Sequence, residues 1–239
     1  MGTNRTECSV DLGIAGIEVA YAERYDGLAR KQQDRLFEES RQLISRSFGQ
    51  RVADPSFGDD VRRFIRNGEL YLLTHGGELI GLKLVQVFRC CRRRVLYNAG
   101  AATLPEWQRR GINTRLTQWL VRSRDVEVVV SRTQNPNIYR TLQRICSRVW
   151  PQLGEETPAS IQQIGVCVAR RVNATLEAFD RERLVDQGTY GSTLYDTIPS
   201  PENTSSLITE LFSRYVNVQW GDSMLVIGEC SPSVTRRAT

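Results

Sequence analysis

The sequence predicts an α/β fold in three layers, a mixed central sheet with helices on both faces. Three observations carry that expectation. Strand-like runs alternate with stretches of helical period along the chain. Two of the strands pass directly into a helix pattern through a proline-bearing junction, at Leu104-Pro105 and at Asn135-Pro136. A chain of 239 residues, 40% of them hydrophobic, can also bury one good core with an appended lobe.

Taken in order, Ile14, Ile17, Val19 and Tyr21 alternate as an opening strand over residues 14–22. Asp26 precedes a helical stretch to about Phe48, with Leu36, Phe37, Leu43 and Ile44 near one face. A loop containing Asp54-Pro55 leads to a short helix around Val61 to Arg66. Glu69 to Thr74 and Glu78 to Phe88, joined by His75-Gly76-Gly77, read as a β-hairpin. A strand over Val95 to Thr103 feeds a helix that continues through Trp119 to Val121. The β-branched run Val126 to Ser131 suits a buried parallel strand. Asn135 then fits the N-cap, and Pro136 the first turn, of the next helix. Beyond Trp150-Pro151, a helix starting near Thr157-Pro158 places Ile161, Ile164, Val168 and Val172 on one face. Strands over Leu184 to Tyr190 and Met224 to Gly228, with a helix at Ser206 to Tyr215 between them, complete the chain.

The segment Leu104-Pro105-Glu106-Trp107-Gln108-Arg109-Arg110-Gly111-Ile112-Asn113-Thr114 carries the most chemistry. A strand that turns at Pro105 into a helix, with Gly111 in the turn, leaves several backbone N–H groups free. Together with the helix dipole they make an anion site. Two adjacent arginines strengthen it, and a pyrophosphate is the anion the pattern suits.

This order of residues resembles motif A of the GCN5-related N-acetyltransferases, Gln/Arg-x-x-Gly-x-Gly/Ala. Gln108, Arg109, Arg110, Gly111 and Ile112 fill it, and Asn113 departs from it, standing where a small residue is usual. Asn135 and Tyr139 match the family's next strand-to-helix segment by order and spacing, so the resemblance covers about residues 69–145. It implies a single domain of that type over residues 13–230, with the motif core at 69–145 and a helical C-terminal elaboration at 151–230. The final strands are assigned to the same sheet; a separate small C-terminal domain is the alternative. Residues 1–12 are expected to be flexible and residues 231–239 to be a disordered tail.

The resemblance also implies an activity: transfer of an acetyl or other acyl group from acyl-coenzyme A to an amine acceptor. The backbone at Ala102, Thr103 and Leu104 would hold the pantetheine arm and the thioester oxygen. The N–H groups from Arg109 through Thr114 would take the phosphates, with Gln108 opening the loop. Tyr139 would protonate the departing thiolate, or else pack in the core with its hydroxyl satisfied. Asn135 would cap its helix or order water near the pantetheine. No general base is assigned. The strand that bears a Glu in some members offers Tyr97 and Asn98, Glu106 belongs to a turn, and Glu127 lies at an alternating strand position. A water chain or an amine already neutral would serve. The loop over Arg51 to Phe57 would form part of the acceptor wall. The acceptor, whether small molecule or protein, and the oligomeric state stay open.

Composition narrows the remaining possibilities. No apolar run approaches the ~20 residues of a membrane span, and Met1 to Asp11 lacks the apolar region of a signal peptide. The cysteines Cys8, Cys90, Cys91, Cys146, Cys167 and Cys230 form no Cys-x-x-Cys pair, and the chain has one histidine. A cytoplasmic protein with reduced thiols and no metal is therefore expected. His75, beside Gly76-Gly77, reads as a turn residue. Cys90-Cys91 lacks a histidine partner for nucleophilic work. The Asn173 and Asn203 glycosylation triplets are read as chance matches. The formal charge is +5 and only Lys31 and Lys83 are lysines. Arg92-Arg93-Arg94 reads as a solvated hairpin tip, or as a patch for an acidic substrate, a nucleic acid or the 3′-phosphate of coenzyme A. The absence of interleaved aromatics weakens the case for a single-stranded nucleic acid, and a nucleic-acid partner is not expected. A non-catalytic coenzyme A-binding protein and an arginine-rich nucleic-acid binder are the alternatives to an enzyme.

Overall fold

A computed structural model describes residues 10–22, 24–49, 55–66, 68–172, 176–195 and 206–231. The architecture is mixed α/β, a mixed sheet with flanking helices, as the alternation of segments predicts. The strands are β1 (Ile17–Ala22), β2 (Glu69–His75), β3 (Glu78–Cys90), β4 (Arg93–Thr103), β5 (Val128–Thr133), β6 (Arg148–Trp150), β7 (Phe179–Asp180), β8 (Val185–Asp186) and β9 (Ser223–Glu229). The α-helices are α1 (Arg30–Phe48), α2 (Pro55–Ile65), α3 (Ile112–Ser123), α4 (Pro136–Gln143), α5 (Ala159–Val172) and α6 (Ser206–Tyr215). The chain divides into two compact units. The first holds the described residues up to Gln86 with Asn98–Trp119, and the second holds Val87–Tyr97 with the described residues from Leu120 onward.

In the first unit the strands run in the order β1-β2-β3-β4. β1 pairs antiparallel with β2, Ile17 opposite His75 and Ala22 opposite Leu70. β2 pairs antiparallel with β3 across the Gly76-Gly77 turn, which places Tyr71 opposite Lys83. Leu70, Leu72, Leu82 and Leu84 are all buried; each such side chain contributes about 1.5–3 kcal/mol on burial. Tyr71 meets Trp119 of α3 edge-on, with ring centroids 6.3 Å apart. On β4, a Cβ at Gly100 would collide with the Phe64 ring of α2, so only glycine lets that helix approach the strand. α1 is tied to the end of β4 by Ser47, whose hydroxyl lies 3.0 Å from the Thr103 carbonyl. Asp26, which the sequence places just before this helix, sits in a short 3-10 turn (Tyr25–Gly27), and α1 begins after Ala29.

In the second unit the order is β3-β4-β5-β9-β8-β7, with β6 also pairing with β9. β5 is antiparallel to β9, from Val128 opposite Glu229 to Thr133 opposite Met224. Val128 to Val130 and Met224 to Ile227 are buried, which accounts for their unbroken apolar runs. α5 buries Ile161, Ile164 and Val168, and α6 buries Ile208, Leu211 and Phe212.

Three expectations are corrected. The thiols are not all reduced, because Cys90 at the end of β3 and Cys167 on α5 form a disulfide, with Cα atoms 6.3 Å apart. A pairing across 77 residues is set by the fold and is invisible in local spacing. The strand expected over Leu184 to Tyr190 is only Val185–Asp186, because the following residues turn at Gly188. Val10 and Leu12, which the sequence places in a flexible N-terminus, are buried, and the Leu12 carbonyl accepts from Arg115 Nη1 at 2.8 Å. Residues 1–9 and 232–239, the two glycosylation triplets and Arg51 to Asp54 lie outside the described residues, as do the side chains of Pro55 to Phe57. No helix is long and apolar enough to cross a membrane among the residues described.

Candidate functional site

The junction from β4 to α3 lies in the first unit. Pro105–Trp107 forms a 3-10 turn after Leu104, and two residues then adopt left-handed backbone, Arg109 (φ 64°) and Gly111 (φ 76°). That geometry is routine for glycine and costly for arginine. It brings the chain sharply round into the start of α3 at Ile112. The first intrahelical bond runs from Arg115 N–H to the Gly111 carbonyl at 2.9 Å. This places Ile112, Asn113 and Thr114 at the positions whose N–H groups have no acceptor within the helix. Among the described residues no side chain caps them. Gln108, Arg109 and Arg110 are exposed, and the Arg110 guanidinium rests 4.5 Å from the Trp107 ring centroid. Trp107 in turn lies 4.6 Å from the His75 ring. The arrangement is an exposed, positively charged mouth over uncapped backbone donors.

The groups flanking this mouth are more constrained. Leu104 N–H donates to the Ile80 carbonyl at 2.9 Å. The Thr103 carbonyl accepts from Ser47 at 3.0 Å and from Gln108 Nε2 at 2.9 Å. Within the trio Ala102, Thr103 and Leu104, these two backbone groups are therefore engaged by the fold. Glu106 pairs with Arg46 at 2.8 Å on the surface.

Asn113 has a partner that the sequence did not reveal. Its side-chain oxygen accepts from Lys83 Nζ at 2.8 Å, and the same amine donates to Thr117 Oγ1 at 3.0 Å. Lys83, on β3, is 1% exposed. Burial lowers its pKa to about 7, because an ammonium removed from water loses its hydration.

The other sequence-predicted residues belong to the second unit. Asn135 caps α4, its Oδ1 accepting from Asn137 N–H at 2.9 Å, while its own N–H donates to Thr133 Oγ1 at 2.8 Å. Tyr139 is buried, and its hydroxyl lies 2.9 Å from the Pro151 carbonyl and 3.2 Å from that of Val149. Burial, with a smaller effect of Glu155, pushes its pKa up to about 12. Of the two roles the sequence left open for Tyr139, packing with a satisfied hydroxyl is the one these contacts describe. Glu127 accepts from Arg94 N–H at 2.7 Å, and Arg93 pairs with Glu229 at 2.8 Å. Cys91 and Arg92 form the tip of the β3–β4 turn, both in left-handed backbone.

Sequence reasoning also missed a polar cluster in this unit. Arg132 on β5 pairs with the buried Asp186 at 3.4 Å and lies 5.3 Å from the Tyr190 ring. Tyr97 is buried nearby, its pKa pushed up to about 12 by desolvation despite the opposing charge of Arg132. An arginine following the apolar Val128 to Val130 in the same strand was the available signal.

No protein-family model matches the chain, and no curated protein does. Solved structures similar to it include a conserved protein of unknown function from Enterococcus faecalis, at 12% identity over 53% of this chain and 31% of that one, with a TM-score of 0.39. A GCN5-related N-acetyltransferase from Kribbella flavida is 23% identical over 53% of this chain and 33% of its own, with a TM-score of 0.37. A GNAT family acetyltransferase from Elizabethkingia anophelis with acetyl-CoA bound is 16% identical over 61% and 90% of the two chains, also with a TM-score of 0.37. The chain spans about a third of the length of the first two.

Proposed function

We propose that this protein transfers an acetyl or other acyl group from acyl-coenzyme A to an amine, with both substrates bound together. The observation that carries this reading is the β4–α3 junction, where the first-turn N–H groups of α3 stand uncapped behind the exposed Arg109 and Arg110. Convergent backbone donors, the positive end of a helix and two guanidinium groups match a pyrophosphate. The motif residues Gln108 to Thr114 would hold it. In the reaction the amine nitrogen attacks the thioester carbonyl carbon, the carbon–sulfur bond breaks, the nitrogen loses a proton and the thiolate gains one. Glu106 and Glu127 are engaged elsewhere, so an amine that arrives neutral, or a water, would suffice for the first proton transfer. The acceptor is a small-molecule or protein amine.

Titration calorimetry with acetyl-coenzyme A, coenzyme A and an ATP control tests the reading. Micromolar binding confined to the coenzyme A ligands is expected, and binding to none of them would remove it. A second reading, a coenzyme A-binding protein without catalysis, is favoured by one observation: the Tyr139 hydroxyl is held by the Val149 and Pro151 carbonyls. Release of free thiol from acetyl-coenzyme A in the presence of an amine panel decides between the two.

A further inference from the structure

Lys83 is one of only two lysines in a chain with 32 basic residues. At nearly every other basic position the chain uses arginine, which does not lose its proton in proteins. The single fully buried basic side chain among the described residues is thus the one type that can change charge. Its partners fit the neutral form. A neutral amine has two N–H donors, and Lys83 Nζ has two acceptors, Asn113 Oδ1 at 2.8 Å and Thr117 Oγ1 at 3.0 Å. The Thr117 hydroxyl cannot act as a donor to the amine, because its own proton goes to the Asn113 carbonyl at 2.7 Å. Both acceptors lie in the first two turns of α3, the helix whose start forms the candidate phosphate site.

Among the described residues none pairs a counter-charge with this amine. Along β3 its neighbours are the buried Leu82 and Leu84. Across β2 it faces Tyr71, whose hydroxyl lies 3.3 Å from Glu69 Oε2, and the ring of Tyr21 on β1 meets that of Tyr71 at a tilt, centroids 5.1 Å apart. From α3 it meets Asn113 and Thr117, while Arg115 turns to the Leu12 and Gly13 carbonyls. The part of β4 in this unit, residues 98–103, has no ionisable side chain. Arg109 and Arg110 lie exposed on the loop. Desolvation is the one cause of the lowered Lys83 pKa, and no charged partner contributes to it.

We propose that Lys83 is a positioning residue for the phosphate loop: through Asn113 and Thr117 it holds the start of α3, and it takes up a proton when an anion occupies that start. The inference rests on reading this junction as a phosphate site. It also explains Asn113. At the position where the resembling family keeps a small residue, the side chain here turns to the buried amine and leaves the backbone N–H to the ligand. An anion at the helix start adds the counter-charge that the buried amine lacks, so protonation of Lys83 and phosphate binding favour one another.

The test is calorimetric titration of coenzyme A and of inorganic pyrophosphate into wild type and Lys83→Met, at pH 6.5, 7.5 and 8.5, in two buffers of different ionisation enthalpy. Comparing wild type with variant at each pH cancels the ionisation of the ligand itself. Wild type is expected to take up a fraction of a proton that the variant does not. Its affinity advantage over the variant should fall about tenfold from pH 6.5 to 8.5, the linkage of a single proton. Equal proton uptake and a constant affinity ratio would overturn the proposal. Should Lys83→Met fail to fold, Asn113→Ala keeps the amine and removes its link to the loop. It should bind about tenfold more weakly, with altered proton uptake, and wild-type behaviour would overturn the coupling. Wild type that binds pyrophosphate but not coenzyme A would end the acyl-transfer reading and leave the Lys83 comparison to be read on pyrophosphate. Wild type that binds neither would overturn both.

Discussion

Two strand-to-helix junctions in this molecule look alike in the sequence and differ in what they leave unpaired. At β5–α4 the helix supplies its own cap: Asn135 Oδ1 takes the Asn137 N–H, Pro136 has no N–H to satisfy, and Thr133 takes the Asn135 N–H. At β4–α3 the turn is made by the left-handed Arg109 and Gly111, and no side chain among the described residues caps the first turn. The capped end has consumed its donors and has none to offer a ligand. The uncapped end leaves them without a partner among the described residues, next to two exposed arginines. On the proposed reading an anion would sit where a helix start is left unfinished, and the buried Lys83 on β3 donates to Asn113 at that start.

The comparison breaks most decisively at Gly111. Gly111→Asp should lower coenzyme A affinity more than a hundredfold by setting a carboxylate against the phosphates. Gly111→Asn, which tolerates the same φ without the charge, should retain most of it. Calorimetry reads both, and equal losses would mean that backbone shape rather than charge governs the site.

Next in size is the pH dependence of stability. The Lys83 pKa is about 7 in the folded chain, against 10.5 ordinarily. Between those values the unfolded chain binds the extra proton, so the wild type gains stability relative to Lys83→Met as pH rises. Below about 7 both states are protonated and the burial cost is fully present. Urea unfolding at pH 6, 8 and 10 should show the difference moving by roughly 2–5 kcal/mol towards the wild type; a flat difference would place the amine in water.

Tyr139→Phe sharpens the second junction. Loss of a buried hydroxyl bond should cost about 1–2 kcal/mol of stability and leave turnover within about threefold. A hundredfold fall in turnover with unchanged stability would return the tyrosine to the chemistry as the proton donor. The smallest effect belongs to Asn135→Ala. Removing this cap should cost about 1 kcal/mol, read as a lower Tm, with coenzyme A affinity unchanged. A clear loss of affinity would show that Asn135 serves the ligand as well as the helix.

Much of the fold was legible because it is written locally. The helix at Ser206–Tyr215 and the apolar face of α5 follow from a 3.6-residue period, and Val128 to Val130 read as a buried strand because no polar residue interrupts them. The short β6 and the two-residue β7 were not legible, because so few residues carry no period. Lys83 was hidden for another reason. In Leu82-Lys83-Leu84 the alternation marks the lysine as solvent-facing, yet the edge-on packing of Tyr71 on Trp119 lies over that face and closes it.

The sequence by itself determined the order of the longer strands and helices, the two proline-bearing junctions and the phosphate-like spacing from Gln108 to Thr114. Each depends on backbone preferences and periods that act within a few residues. Tertiary structure alone decided which polar groups were consumed. It gave the Tyr139 hydroxyl to Val149 and Pro151, joined Cys90 to Cys167, and set Lys83 beneath Asn113. The cost of burying an unpaired polar group is settled by whatever the fold brings within hydrogen-bonding reach, and those partners come from distant parts of the chain.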